Sequence, residues 1–144
     1  MTLKYQAEMQ QLGIENCPPP EYDYSPLTAF RFIFKDLDHP NNFKPVALIF
    51  PQRLNEFRDY AQKCQTFGLS MFAENEKAKR HFMLLQKKTA GRFSKTVGTC
   101  LAALKLGDTD GLHSDPFERS DSHITFHEFK DTDLAQCIIN VENL

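Results

Sequence analysis

The chain has no tryptophan, no long apolar run and no Cys-x-x-Cys pair. The last two absences each narrow the class of protein. A membrane-spanning helix needs about 20 consecutive apolar residues, and no segment supplies them. The four cysteines, Cys17, Cys64, Cys100 and Cys137, are widely spaced, so the expectation is free thiols in a reducing compartment. Cys64 falls on an apolar helical stripe and is expected in the core. The opening Met1-Thr-Leu-Lys-Tyr5 has no apolar stretch of signal-peptide type, and the expected location is cytoplasmic. Neither Gly-x-Gly-x-x-Gly nor a P-loop is present, which removes the common phosphate-cradling loops. No Gly-x-Ser-x-Gly marks a serine nucleophile. A large charge excess is also missing: the net charge is -2, too small for bulk attraction to a polyelectrolyte.

What remains is a folded-protein composition. The 144 residues are 41% hydrophobic and 25% charged, enough for one ordinary core, and the expectation is a single domain over 1–144. Thirteen phenylalanines make aromatic burial the dominant core term. Charge is unevenly spread. Residues 74–105 carry +6, residues 106–144 carry -7 and residues 1–73 carry -1. A basic middle and an acidic end either neutralise each other across the fold or present two faces to partners.

The organisation follows from periodicity. Residues 2–12 suit a short helix stopped by Gly13. Cys17-Pro-Pro-Pro20 then gives a rigid extended connector, so 1–26 reads as an N-terminal helix plus a proline-rich linker. Strands are expected at 27–35, 45–50, 96–106, 123–129 and 136–141, the last two joined as a hairpin, with a further short strand at 69–72. Residues 96–106 also carry helical spacing at Val97, Leu101 and Leu104. Helices are expected at 52–67 and 75–88, with Ala78, Phe82 and Leu85 inward on the second. On 27–35, Phe30, Phe32 and Phe34 share one face, while Ala29, Arg31, Ile33 and Lys35 share the other. Residues 107–121 read as a long acidic loop, a length that favours function or disorder. The fold class is therefore α+β: a mixed or antiparallel five-stranded sheet on two main helices.

Metal motifs fail on spacing. His123 and His127 lie on a predicted strand, which sets them roughly 13 Å apart. Zinc holds its nitrogen ligands at about 2.0–2.1 Å, so one ion cannot take both. Asp108-Thr-Asp-Gly111 matches the middle of a calcium loop, but Leu106 and Phe117 fall where two essential oxygen ligands belong. The remaining alternative joins His123 or His127 to His113 or Cys100 from a neighbouring segment, and no metal is expected. His39-Pro-Asn41 reads as turn chemistry. The basic segment from Lys77 to Lys95 reads as a solvated helix face, because Phe82 lies on the apolar stripe, and nucleic-acid binding is not expected.

One constellation carries chemistry. Arg31 lies on the first strong strand. Ser70 lies in the short Gly68-Leu-Ser-Met-Phe72 segment before a helix. Glu128 ends a late strand on the face of Ile124 and Phe126, and a carboxylate on an apolar face wants a reason. The order Arg, Ser, Glu on three strands resembles the Arg-Ser-Glu pattern of ADP-ribosyltransferases. That resemblance implies NAD as cofactor, Arg31 as its contact, Ser70 as the residue ordering the cleft, and Glu128 stabilising an oxocarbenium-like transition state.

Two functions are thus expected. The first is a small cytosolic, non-enzymatic protein-interaction module without a cofactor: an adaptor, an inhibitor or immunity partner, or an accessory subunit. The second is an ADP-ribosyltransferase-like, NAD-using enzyme with Arg31, Ser70 and Glu128 in its cleft.

Overall fold

The alternating segment at 27–34 becomes the central strand. The computed structural model describes residues 1–144. In chain order the elements begin with helix α1 (Gln6–Gln11), strand β1 (Leu27–Ile33), helix α2 (Val46–Ile49), a 3-10 helix (Pro51–Glu56), helix α3 (Tyr60–Thr66) and strand β2 (Leu69–Phe72). Helices α4 (Asn75–Lys88) and α5 (Phe93–Val97) follow, then strands β3 (Cys100–Leu106), β4 (Gly111–His113) and β5 (His123–Glu128). A second 3-10 helix (Leu134–Cys137) and strand β6 (Ile138–Asn143) complete the chain. No helix is long and apolar enough to cross a membrane.

The α+β class holds, with six strands rather than five. They form one antiparallel sheet in the order β4-β5-β2-β1-β3-β6. The pairing is uneven. β1 pairs with β3 along its whole length, from Leu27 opposite Leu106 to Ile33 opposite Cys100. β2 pairs with β5 from Leu69 opposite Phe126 to Phe72 opposite His123. Between β1 and β2 there is a single pair, Phe30 opposite Phe72. The sheet is therefore two half-sheets hinged at one point. Ala29, Ile33, Ala102 and Leu104 from one half share a buried cluster with Leu69, Met71, Ile124 and Phe126 from the other. Each buried side chain of leucine size contributes about 1.5–3 kcal/mol.

The phenylalanine face of β1 packs as its spacing predicts. Phe30 and Phe32 join Phe72, Ala78 and Leu101 under α4, and Phe32 also meets the rings of Phe82 and Phe93. The opposite face, which carries Arg31, is the deeper one, because Ala29 and Ile33 are fully buried. Gly98 lets α5 turn tightly into β3. Its φ is +93°, and a Cβ there would sit 2.1 Å from the Ile33 carbonyl oxygen.

Five expectations are corrected. Residues 45–50 are not a strand: Pro45 leads into α2, and Ala47 packs with Met9, Cys64 and Phe67 in an N-terminal cluster. The helix expected over 52–67 is two pieces, broken before Asp59, whose carboxylate accepts from the Ala61 amide and caps α3. Residues 96–106 divide into the end of α5 and β3. β5 and β6 are not a hairpin. Asp133 caps the second 3-10 helix, Leu134 drops into the core, and β6 lands beside β3 in the other half-sheet. The stretch 107–121 is not all loop, since β4 lies within it and pairs with β5.

The thiol expectation also fails in part. Cys17 and Cys64 form a disulfide, while Cys100 and Cys137 are free. The bond pins the proline connector to α3, and Cys64 is buried as expected.

Candidate active site at the strand divergence

Because β1 and β2 share one pair, Ser70 has no strand partner on the β1 side. Arg31 takes that place. Its Nη1 donates to the Ser70 carbonyl at 2.8 Å, and its Nε donates to the Asn42 carbonyl at 2.7 Å. Asn42 is buried and acts as a surrogate strand. Its Oδ1 accepts from the Phe34 amide at 2.7 Å, and its Nδ2 donates to the Asp36 carbonyl at 3.0 Å. The His39-Pro-Asn-Asn turn exists to deliver this side chain. His39 stacks on Phe34 with centroids 3.9 Å apart, and its Nδ1 accepts from the Asn41 amide. Burial pushes the Arg31 guanidinium down to about 10, with the Glu128 charge opposing, so it stays a cation at neutral pH.

The divergence opens a cavity of about 460 Å³, within the range of ordinary small-ligand sites. Arg31, Lys44 and Arg53 supply permanent cations to its wall, and His81 and His123 supply imidazoles. Phe32, Phe50, Phe57 and Phe93 supply aromatic surface. Among its 22 lining residues there is no aspartate or glutamate, in a chain that has 19 of them. Such a wall is electrostatically suited to an anion and offers ring faces to flat apolar surface.

Ser70 faces this space, and its Oγ lies 2.6 Å from His123 Nε2. Register explains the contact. Ser70 is opposite Thr125 and Phe72 is opposite His123, so Ser70 and His123 are diagonal neighbours on one face. Burial, then the Arg119 cation, hold the His123 imidazole below its ordinary range. Burial lowers His81 as well. Asp121 lies behind His123, where its Oδ1 accepts from the His123 amide at 3.0 Å. The Arg119 bond holds the Asp121 carboxyl down at about 2. A neutral imidazole against a hydroxyl is a proton-accepting pair.

Of the three residues predicted as a site, the structure brings two together. Arg31 and Ser70 meet in the cavity. Glu128 does not line it. Its side chain is buried on the core face, paired with Lys4 at 3.6 Å, and its Oε1 has no hydrogen-bond partner. Burial raises its carboxyl, with Lys4 and then Arg31 opposing. Neighbouring Tyr5 is pushed up to about 12, first by burial and then by the Glu128 charge.

Scans against protein-family models, curated protein sequences and solved structures found no match. His123 and His127 both project from the extended β5, and they serve different places: His123 meets Ser70, whereas His127 meets Cys64. His113 is spent on structure, with both ring nitrogens 2.8 Å from carbonyls of Ser25 and Ser114. Asp110 closes a turn by accepting from the Gly107 amide at 2.6 Å. Lys77 and Lys79 pair with Glu74 and Glu142. The cavity residues that the sequence leaves unmarked are Lys44, Arg53 and His81, while His123 stands out there only as a metal candidate. For His123 a signal existed, the alternation of 123–128, but its meaning needs the β2–β5 register.

Proposed function

We propose that the protein binds a pyrophosphate-bearing nucleotide in the cavity beside Ser70, with NAD as the first candidate, and acts as an ADP-ribosyltransferase-like enzyme. The observation that carries this reading is the cavity wall: three cations, two imidazoles, four phenylalanine rings and no carboxylate. Arg31, Lys44 and Arg53 suit the phosphates, and the rings suit the bases. Glu128 drops out of the proposed machinery. His123 takes a different role, accepting the proton of an attacking water or acceptor hydroxyl as nicotinamide leaves the ribose. Ser70 orients that imidazole.

A protein-interaction module has its own support. The outer edge of β6 is unpaired, and Ile139 and Val141 are exposed on it. A ligand assay separates the two. Millimolar NAD is expected to raise the melting temperature. Arg53→Ala plus Lys44→Ala is expected to remove that rise, and Glu128→Gln to leave it intact. His123→Gln is expected to keep NAD binding and lose at least about tenfold in NAD turnover. No stabilisation of the wild-type chain by NAD or ADP-ribose would sink the nucleotide reading.

A further inference from the structure

The far end of β5 carries a second, chemically different cluster. Sγ of Cys17, Sγ of Cys64 and a ring nitrogen of His127 all lie within 4.8 Å of one another. Cys64 and His127 are buried, while Cys17 is half-buried. His127 Nε2 faces a sulfur: its contact is Cys64 Sγ at 3.9 Å, in place of an oxygen or nitrogen partner.

Space is kept for this ring nitrogen. A Cβ on Gly68 would sit 3.0 Å from His127 Nε2 and 2.4 Å from Thr125 Cγ2. The three donor atoms come from three distant segments, the proline connector, α3 and β5, so the fold itself assembles them. Around a tetrahedral zinc, bonds of about 2.3 Å to sulfur and 2.0–2.1 Å to nitrogen put sulfur and nitrogen about 3.6 Å apart and two sulfurs about 3.8 Å apart. The Cys64–His127 separation is already close to that edge.

We propose that this cluster is a redox-gated zinc site, formed by Cys17 Sγ, Cys64 Sγ and His127 Nε2 when the disulfide is reduced. A dithiol reductant delivers two electrons and two protons to the Cys17–Cys64 bond and becomes a disulfide itself. The two thiols then release their protons to solvent as the sulfurs and the imidazole take Zn²⁺. Water completes the tetrahedron from the Cys17 side. In the oxidised chain both sulfurs are bonded to each other and the metal set does not exist. Reduction thus exchanges a cross-link between the connector and α3 for one that also takes in β5.

The test uses the full chain, reduced with a phosphine, freed of reductant without oxygen and titrated with Co²⁺ and then Zn²⁺. The expected result is one Co²⁺ per reduced chain, with a thiolate-to-cobalt charge-transfer band that one equivalent of Zn²⁺ removes, and no band from the oxidised chain. Cys17→Ser is expected to abolish the band. His127→Gln is expected to weaken zinc by about tenfold or more. Far-ultraviolet circular dichroism keeps the outcome decisive if the reduced chain loses structure, since zinc is then expected to restore it. A reduced wild-type chain that gives no band, or that stays unfolded with zinc, overturns the proposal. So does equal metal binding by the oxidised chain. None of these outcomes depends on whether NAD binds at the other end of the strand.

Discussion

His123 and His127 sit four residues apart on one face of β5, yet they inhabit different chemistry. His123 lies at the half-exposed end, against a hydroxyl, in a cavity walled by cations. His127 lies at the dry end, against sulfur and a glycine. Burial lowers both imidazoles, with the Arg119 cation adding to it at His123, whereas at His127 burial is the sole cause and drives it down to about 4. The same side chain on the same strand faces a hydroxyl in one place and sulfur in the other. Neighbours decide the role, and position along the sheet decides the neighbours.

The comparison breaks most severely at the His127 end. Removing the disulfide by Cys17→Ser releases the constraint on a segment of 47 residues. Chain entropy then predicts a loss of about 4 kcal/mol under oxidising, metal-free conditions. Urea denaturation of the two chains measures it. The NAD-induced rise in melting temperature is expected to survive, because no cavity-lining residue belongs to the disulfide. A loss of NAD stabilisation in that variant would show that the two ends of β5 are not independent.

Acid comes next. His127 has a folded pKa below its unfolded value, so the unfolded chain binds more protons between the two. Its contribution is complete above about 6.5 and is lost as pH falls toward about 4. Between pH 7 and pH 4.5 this costs the fold about 2.5 kcal/mol. His123 and His81 are shifted in the same direction and add to it. The urea midpoint is expected to fall over that interval in the wild type and in His123→Gln, and to flatten clearly in His127→Gln. A slope that flattens with His123→Gln instead would reverse the ranking of the two ends.

Much of the scaffold was legible from the chain. The alternation at Phe30 and Phe32, the helix at 75–88, the strand at 69–72 and the extended state of 123–128 all follow from period and breakers. What was not legible is long-range. Val46 to Ile49 has strand composition, but Ala47 is claimed by the N-terminal cluster. β6 lies beside β3 because a capped turn at Asp133 and a buried Leu134 carry the chain across the core, and local pattern does not encode direction. Cys17 and Cys64 meet only after the connector folds onto α3. The cavity was hidden for the same reason. Lys44, Arg53 and His81 are unremarkable in sequence and come to line one cavity only where β1 and β2 part.

Glu128 gives the smallest expected effect and the clearest contrast with Arg31, the neighbour whose charge it feels. Arg31 spends two of its donors on carbonyls and keeps its charge. Glu128 has Lys4 at 3.6 Å, an oxygen with no partner, and a carboxyl that burial raises despite two nearby cations. Burial outweighs attraction, so ionising this group opposes folding. Its folded pKa lies above the unfolded one, and the folded chain binds the extra proton. Stability from Glu128 is therefore present at low pH and declines as pH rises from about 4.3 through the folded value. Glu128→Gln keeps the shape and removes the charge. It is expected to stabilise the protein at pH 7, but only within about 1 kcal/mol, because the pair with half-exposed Lys4 is lost at the same time. At pH 4 the advantage is expected to vanish. A variant less stable than wild type at pH 7 would mean that the Lys4 pair outweighs desolvation, and that Glu128 was retained for the ion pair that fastens the N-terminal segment to β5.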